Sequence, residues 1–163
     1  MKPNPARDRR QGRGIARVVL ALLLLAMAAG QLADLPGFVE VLRTYPVAST
    51  PLTWLIALGL VVGEVTAGAL LLTGNASMRA RGAATALAVA VAWSALALSA
   101  LVPGRAIENC GCFGVYLAQP LRWWVLLEDV EFVALATWVL LAARREAVQD
   151  TEGSFDVSAS HTQ

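Results

Sequence analysis

Polar and apolar positions separate on a coarse scale along this chain. Apolar runs at about residues 15–32, 52–72, 83–102 and 123–143 are divided by shorter polar stretches. Each run is near the ~20 residues that a helix needs to cross ~30 Å of hydrocarbon. Only the last carries several charges, Glu128, Asp129 and Glu131, all within its first turns. The pattern predicts an all-α integral membrane protein, a four-transmembrane-helix bundle over 15–145. Disordered tails are expected at 1–14, which is basic and cytoplasmic, and at 146–163, which is polar.

The ends of the runs carry their own signals. A basic start followed by Ala26-Met27-Ala28 imitates a cleavable signal peptide. The run continues past that point and is long enough to span, so a retained helix is expected. Asp34-Leu35-Pro36 reads as a helix start leading into Phe38, Val39, Val41 and Leu42 among Glu40 and Arg43. This predicts a short amphipathic helix in the first outer loop, ended by Tyr45-Pro46 and Pro51. In the second run Gly59, Gly63 and Ala67 form a small-residue stripe suited to close helix contact, with Glu64 and Gly68 beside it. Leu55, Leu58, Val62, Val65, Ala69 and Leu72 fall on the opposite side, facing lipid. Gly74-Asn75 and Pro103-Gly104 close the second and third helices, and Pro120 with Trp123-Trp124 marks re-entry.

Composition sharpens this picture. With 57% hydrophobic and 15% charged residues, the chain lies outside the range of ordinary soluble domains. The net charge of +1 says little as a sum, and no nucleic-acid partner is expected. Its distribution says more, because Arg43, Arg105 and Arg122 are the only basic residues in the first and third loops. The others flank the remaining ends of the runs. By the positive-inside rule both termini are cytoplasmic and the loops at about 33–51 and 103–122 face outward, in the cell membrane. Cys110 and Cys112 are then exoplasmic, where disulfides are permitted.

The candidate chemistry lies in Asn109-Cys110-Gly111-Cys112-Phe113-Gly114. A turned Cys-Gly-Cys segment brings the Cα atoms within the span that a disulfide needs, yet the ring is small and strained. Strain raises the reduction potential, and a crosslink closing so short a loop stabilises little. Two sulfurs alone make a poor metal site, and His161 in the C-terminal tail is badly placed to complete one, so no metal is expected. A redox role needs a thiolate near a second sulfur and open to a partner, which an exposed loop tip offers. Gly111 and Gly114 fit either close approach by a partner or a plain tight turn.

Two intramembrane acids stand apart. Glu64, about 18 Å below the outer end of its helix, is costly enough to suggest function, with helix packing as the other reading. Contact with the cysteines would require the third loop to fold inward. Glu128 suits the positive end of a helix dipole, while Asp129 lies off the face shared by Glu128 and Glu131, so at least one acid is expected to point into the bundle.

With the Cys-Gly-Cys-Phe-Gly loop placed between the third and fourth spans, the chain resembles the MauE branch of the DoxX-like membrane proteins. The likeness covers about residues 15–145 and rests on Asn109 to Gly114, then on Tyr45-Pro46, Glu64 with Gly68, and Trp123 with Asp129. It implies a four-helix membrane protein associated with thiol redox. It further implies a role in methylamine utilisation, maturing the exported, disulfide-rich light subunit of methylamine dehydrogenase beside a thioredoxin-like partner. One reading is therefore a membrane thiol–disulfide exchange protein acting through Cys110 and Cys112 on an exoplasmic partner or client. Another is a non-enzymatic scaffold with structural cysteines. Transport would rest on Glu64 alone. A membrane quinone would suit an oxidoreductase, and no residue specifies one.

Overall fold

The computed structural model describes residues 5–46 and 49–160, with side chains over 11–46 and 49–149. The ends of both tails, His161 among them, lie outside the described residues. The elements are α1 (Pro5–Ala33), α2 (Leu35–Arg43), α3 (Thr50–Thr73), α4 (Ala76–Leu101) and α5 (Trp123–Ser160). The described residues contain no strand.

Three segments, Gln11–Ala33, Thr50–Thr73 and Ala76–Leu101, are long and apolar enough to cross a bilayer. The architecture is that of a multi-pass membrane protein. α1 begins well before its apolar run and α5 continues well past its own, to Ser160. Helix propagation explains this, since each residue added to an existing helix gains a hydrogen bond at little nucleation cost.

Caps fix the joints. Asp34 accepts a hydrogen bond from the Gly37 amide at 2.9 Å and starts α2, which has Pro36 in its first turn. Asn75 accepts from the Met78 amide at 3.0 Å and starts α4 directly after Gly74 ends α3. This two-residue joint lays α3 and α4 side by side, and α4 in turn packs along α5. α1 closes the bundle mainly against α3. Close approach there depends on Gly68, where a Cβ would strike Leu25 and the Ala21 carbonyl of α1. Leu55, Leu58, Val62 and Val65 point away from the protein, while Ala57, Val61, Glu64 and Ala67 are buried. α2 lies across one end with Phe38, Val39 and Leu42 buried, and the Phe38 ring sits 6.2 Å from that of Trp93 on α4.

Candidate functional site

The segment 107–121 is closed at its base by two backbone hydrogen bonds, Leu121 N–H to the Ile107 carbonyl and Cys110 N–H to the Gln119 carbonyl, both 2.8 Å. Asn109 ties the tip. Its Oδ1 accepts from the Gly111 amide at 2.9 Å and its Nδ2 donates to the Gly114 carbonyl at 3.0 Å. Gly111 and Gly114 have φ of 84° and 70°, the left-handed region that side-chain-bearing residues enter at a cost. These constraints turn the chain so that the Cys110 and Cys112 sulfurs stand 3.3 Å apart as free thiols.

The loop is not the exposed tip that the sequence suggests. Cys110 is buried and Cys112 half-buried, and the outer part of the loop is formed instead by Tyr116 and Leu117. The reason is a backbone-on-backbone seat. A Cβ at Gly30 of α1 would strike the Phe113 carbonyl, and one at Gly114 would strike the Gly30 carbonyl. On its other side Gly111 rests against Val41 and Phe38 of α2.

Folding inward brings the loop to Glu64. The Gln31 side chain, fully buried near the end of α1, donates from Nε2 to Glu64 Oε1 at 3.1 Å and to the Cys112 carbonyl at 3.0 Å. Both partners are acceptors, so the amide orientation follows from them. Trp93 Nε1 donates to the same Glu64 oxygen at 3.0 Å. Tyr45 supports the other cysteine, its hydroxyl donating to the Cys110 carbonyl at 2.9 Å. Burial, then the negative charge that the cysteine sulfurs can carry, pushes the Tyr45 pKa upward, so it remains a neutral donor.

Asp129 is buried at the start of α5, whereas Glu128 and Glu131 are exposed. Glu128 instead accepts from Gln119 Nε2 of the loop at 3.1 and 3.2 Å. Among the described residues, Gln31 Oε1, Glu64 Oε2 and Asp129 Oδ2 are buried acceptors without a hydrogen-bond partner. Sites that tolerate such atoms accept a cost of about 1–3 kcal/mol for each. Gln31 escaped the sequence reading because one amide at the end of an apolar run looks like an ordinary helix terminus. Tyr45 stands in the sequence as part of a helix-ending Tyr-Pro pair that also carries the family likeness, with no sign of its bond to the cysteine loop.

The two thiols titrate as one unit. A hydrogen bond from Cys112 draws the Cys110 pKa down to about 7, against burial and the negative carboxylates of Glu128 and Asp129, and the Cys112 backbone amide helps. The same shared hydrogen bond, with burial, drives Cys112 upward. Loss of one proton is thus eased and loss of the second opposed. Cys112→Ala removes the largest favourable cause and leaves the opposing ones. The alkylation-rate profile of Cys110 is expected to move from a midpoint near 7 to above the ordinary thiol range. An unmoved midpoint would remove the thiol pair as its cause.

Comparison with known proteins gives a consistent result. Residues 13–142 match the model of the family described as methylamine utilisation protein MauE. The methylamine utilization protein MauE of Paracoccus denitrificans is 35% identical over 120 residues, covering 74% of this chain and 63% of that relative. The chain thus spans a little under two thirds of that relative's length. No solved structure matches the chain.

Proposed function

The chain belongs to the MauE family, and from that membership we propose that it is a membrane thiol–disulfide exchange protein serving methylamine utilisation. The observation that carries this reading is the Cys110–Cys112 pair, two free thiols 3.3 Å apart and hydrogen-bonded to each other, at one end of a buried polar network. The relative's name supports the pathway, and by resemblance the client is the exported light subunit of methylamine dehydrogenase. The basic asymmetry supports four spans, cytoplasmic termini and an exoplasmic loop, with α5 crossing over about 123–143.

In the proposed step, a partner thiolate attacks the Cys112 sulfur of the oxidised pair, because Cys112 is the less buried of the two. Cys110 departs as a thiolate, and the lower pKa of its thiol makes it the better leaving group. The partner's second thiol then attacks the partner sulfur of this mixed disulfide and releases Cys112. The partner dithiol becomes a disulfide and the pair becomes a dithiol, with two electrons and two protons transferred. The reverse sequence reduces a partner disulfide. Exchange with a second, thioredoxin-like protein returns the pair to its starting state.

Cys110→Ser is therefore expected to accumulate a mixed disulfide through Cys112, and Cys112→Ser to accumulate far less. In intact, reduced cells a membrane-impermeant thiol reagent should label Cys112. Full client maturation by a double Cys→Ser variant would sink the exchange mechanism. It would favour a scaffold with structural cysteines, the reading to which the burial of Cys110 lends weight. Labelling only after lysis would overturn the topology.

A further inference from the structure

At the end of the bundle opposite the cysteine loop, α1, the start of α4 and α5 line a half-open cavity of about 740 Å³. Arg13 and Arg17 of α1 and Arg79 of α4 line it, against a single acid among the described residues, Glu146 of α5. The Nε atoms of Arg17 and Arg79 are buried and have no hydrogen-bond partner among the described residues. Arg79 meets Glu146 only at 4.0 Å, at the limit of an ion pair. Arginines at helix ends commonly extend into water or headgroups, which keeps every guanidinium nitrogen solvated. Here two of them line a half-open cavity with their Nε atoms buried instead, where an unmet donor is costly.

We propose that this cavity binds the phosphate of an anionic phospholipid. Guanidinium groups match phosphate oxygens with paired donors, and among the described lining residues three of them face one carboxylate, a cationic balance. The rest of the ligand is indicated by the far wall. Trp138 and Val139 of α5 line it beside the arginines, and Trp138 is 49% exposed. A phosphate flanked by an apolar surface suits a headgroup continuing into acyl chains, and basic pockets between membrane helices take such headgroups. The site is separated from the cysteine loop by most of α1. Arg17 and Gly30 are 13 residues apart, roughly 20 Å along the helix.

The test uses the full chain purified in detergent, with phosphatidylglycerol and phosphatidylcholine offered in equal amounts and retained lipid read by native mass spectrometry. Wild-type protein is expected to retain phosphatidylglycerol preferentially. Combined Arg17→Gln and Arg79→Gln should weaken that retention about 30-fold, equivalent to roughly 1 kcal/mol for each arginine. Glu146→Gln removes the opposing charge and should strengthen retention, a gain that misfolding cannot imitate. Equal retention of both lipids by the wild type, or no change in the double variant, overturns the proposal. Inorganic phosphate alone in a thermal-unfolding assay separates the sources. A stabilisation abolished by the double replacement, without any preference between lipids, would transfer the site to a soluble phosphate and overturn the lipid assignment.

Discussion

Gly30→Ala lifts the cysteine loop from its seat on α1. A Cβ there would lie 2.5 Å from the Phe113 carbonyl oxygen and 2.9 Å from its carbon, so one backbone must move. α1 is held by its own helical hydrogen bonds, whereas the loop is held by a few turn bonds, so the loop moves. Overpacking of this kind costs about 1–3 kcal/mol. If the loop must open before Cys110 reacts, that cost becomes a rise in thiol alkylation on the order of 5- to 150-fold. Gly114→Ala should do at least as much, because its Cβ would meet the Gly30 carbonyl from the other side and its φ of 70° disfavours alanine. Gly59→Ala serves as a control, since no atom lies within 4 Å of its added Cβ. Equal alkylation rates in all these proteins would mean that the loop is not held by the glycine seat.

The seat also marks the boundary of what the sequence discloses. Asp34 and Pro36 reveal α2 because a cap acts over three residues, and Gly74-Asn75 reveals the α3–α4 joint for the same reason. The burial of Glu64 and the exposure of Leu55, Leu58 and Val62 are legible from helical period. The inward fold of the loop is not. It rests on main-chain contact between Gly30 and Phe113-Gly114 and on one bond from Gln31 to Cys112, 81 positions away. Backbone contacts leave no side-chain pattern, and a glycine within a small-residue run near a helix end has several commoner explanations. Gly30 becomes intelligible only once its position costs are weighed. Glycine inside a helix is about 1 kcal/mol worse than alanine, and here close approach compensates.

Glu64→Gln and Gln31→Leu separate chemistry from packing. The Glu64 oxygen that accepts from Gln31 and Trp93 has a counterpart in glutamine, whose amide oxygen can accept both bonds. Removing an ionisable group from the bundle also eases its burial. Glu64→Gln should therefore insert and fold with stability within about 1 kcal/mol of the wild type. Gln31→Leu is different. It leaves the Cys112 carbonyl without its side-chain donor, deprives Glu64 of one of two donors, and should cost about 2–5 kcal/mol. Thermal unfolding in detergent reads these effects. Client maturation reads the other axis, where Glu64→Gln should fall severely although its fold is retained, because the titratable group joined to Cys112 through Gln31 is gone. Gln31→Leu should fall on both axes. Normal maturation by a stable Glu64→Gln protein would confine Glu64 to holding α1, α3 and α4 together, and the proposed exchange would then depend on the cysteine loop alone.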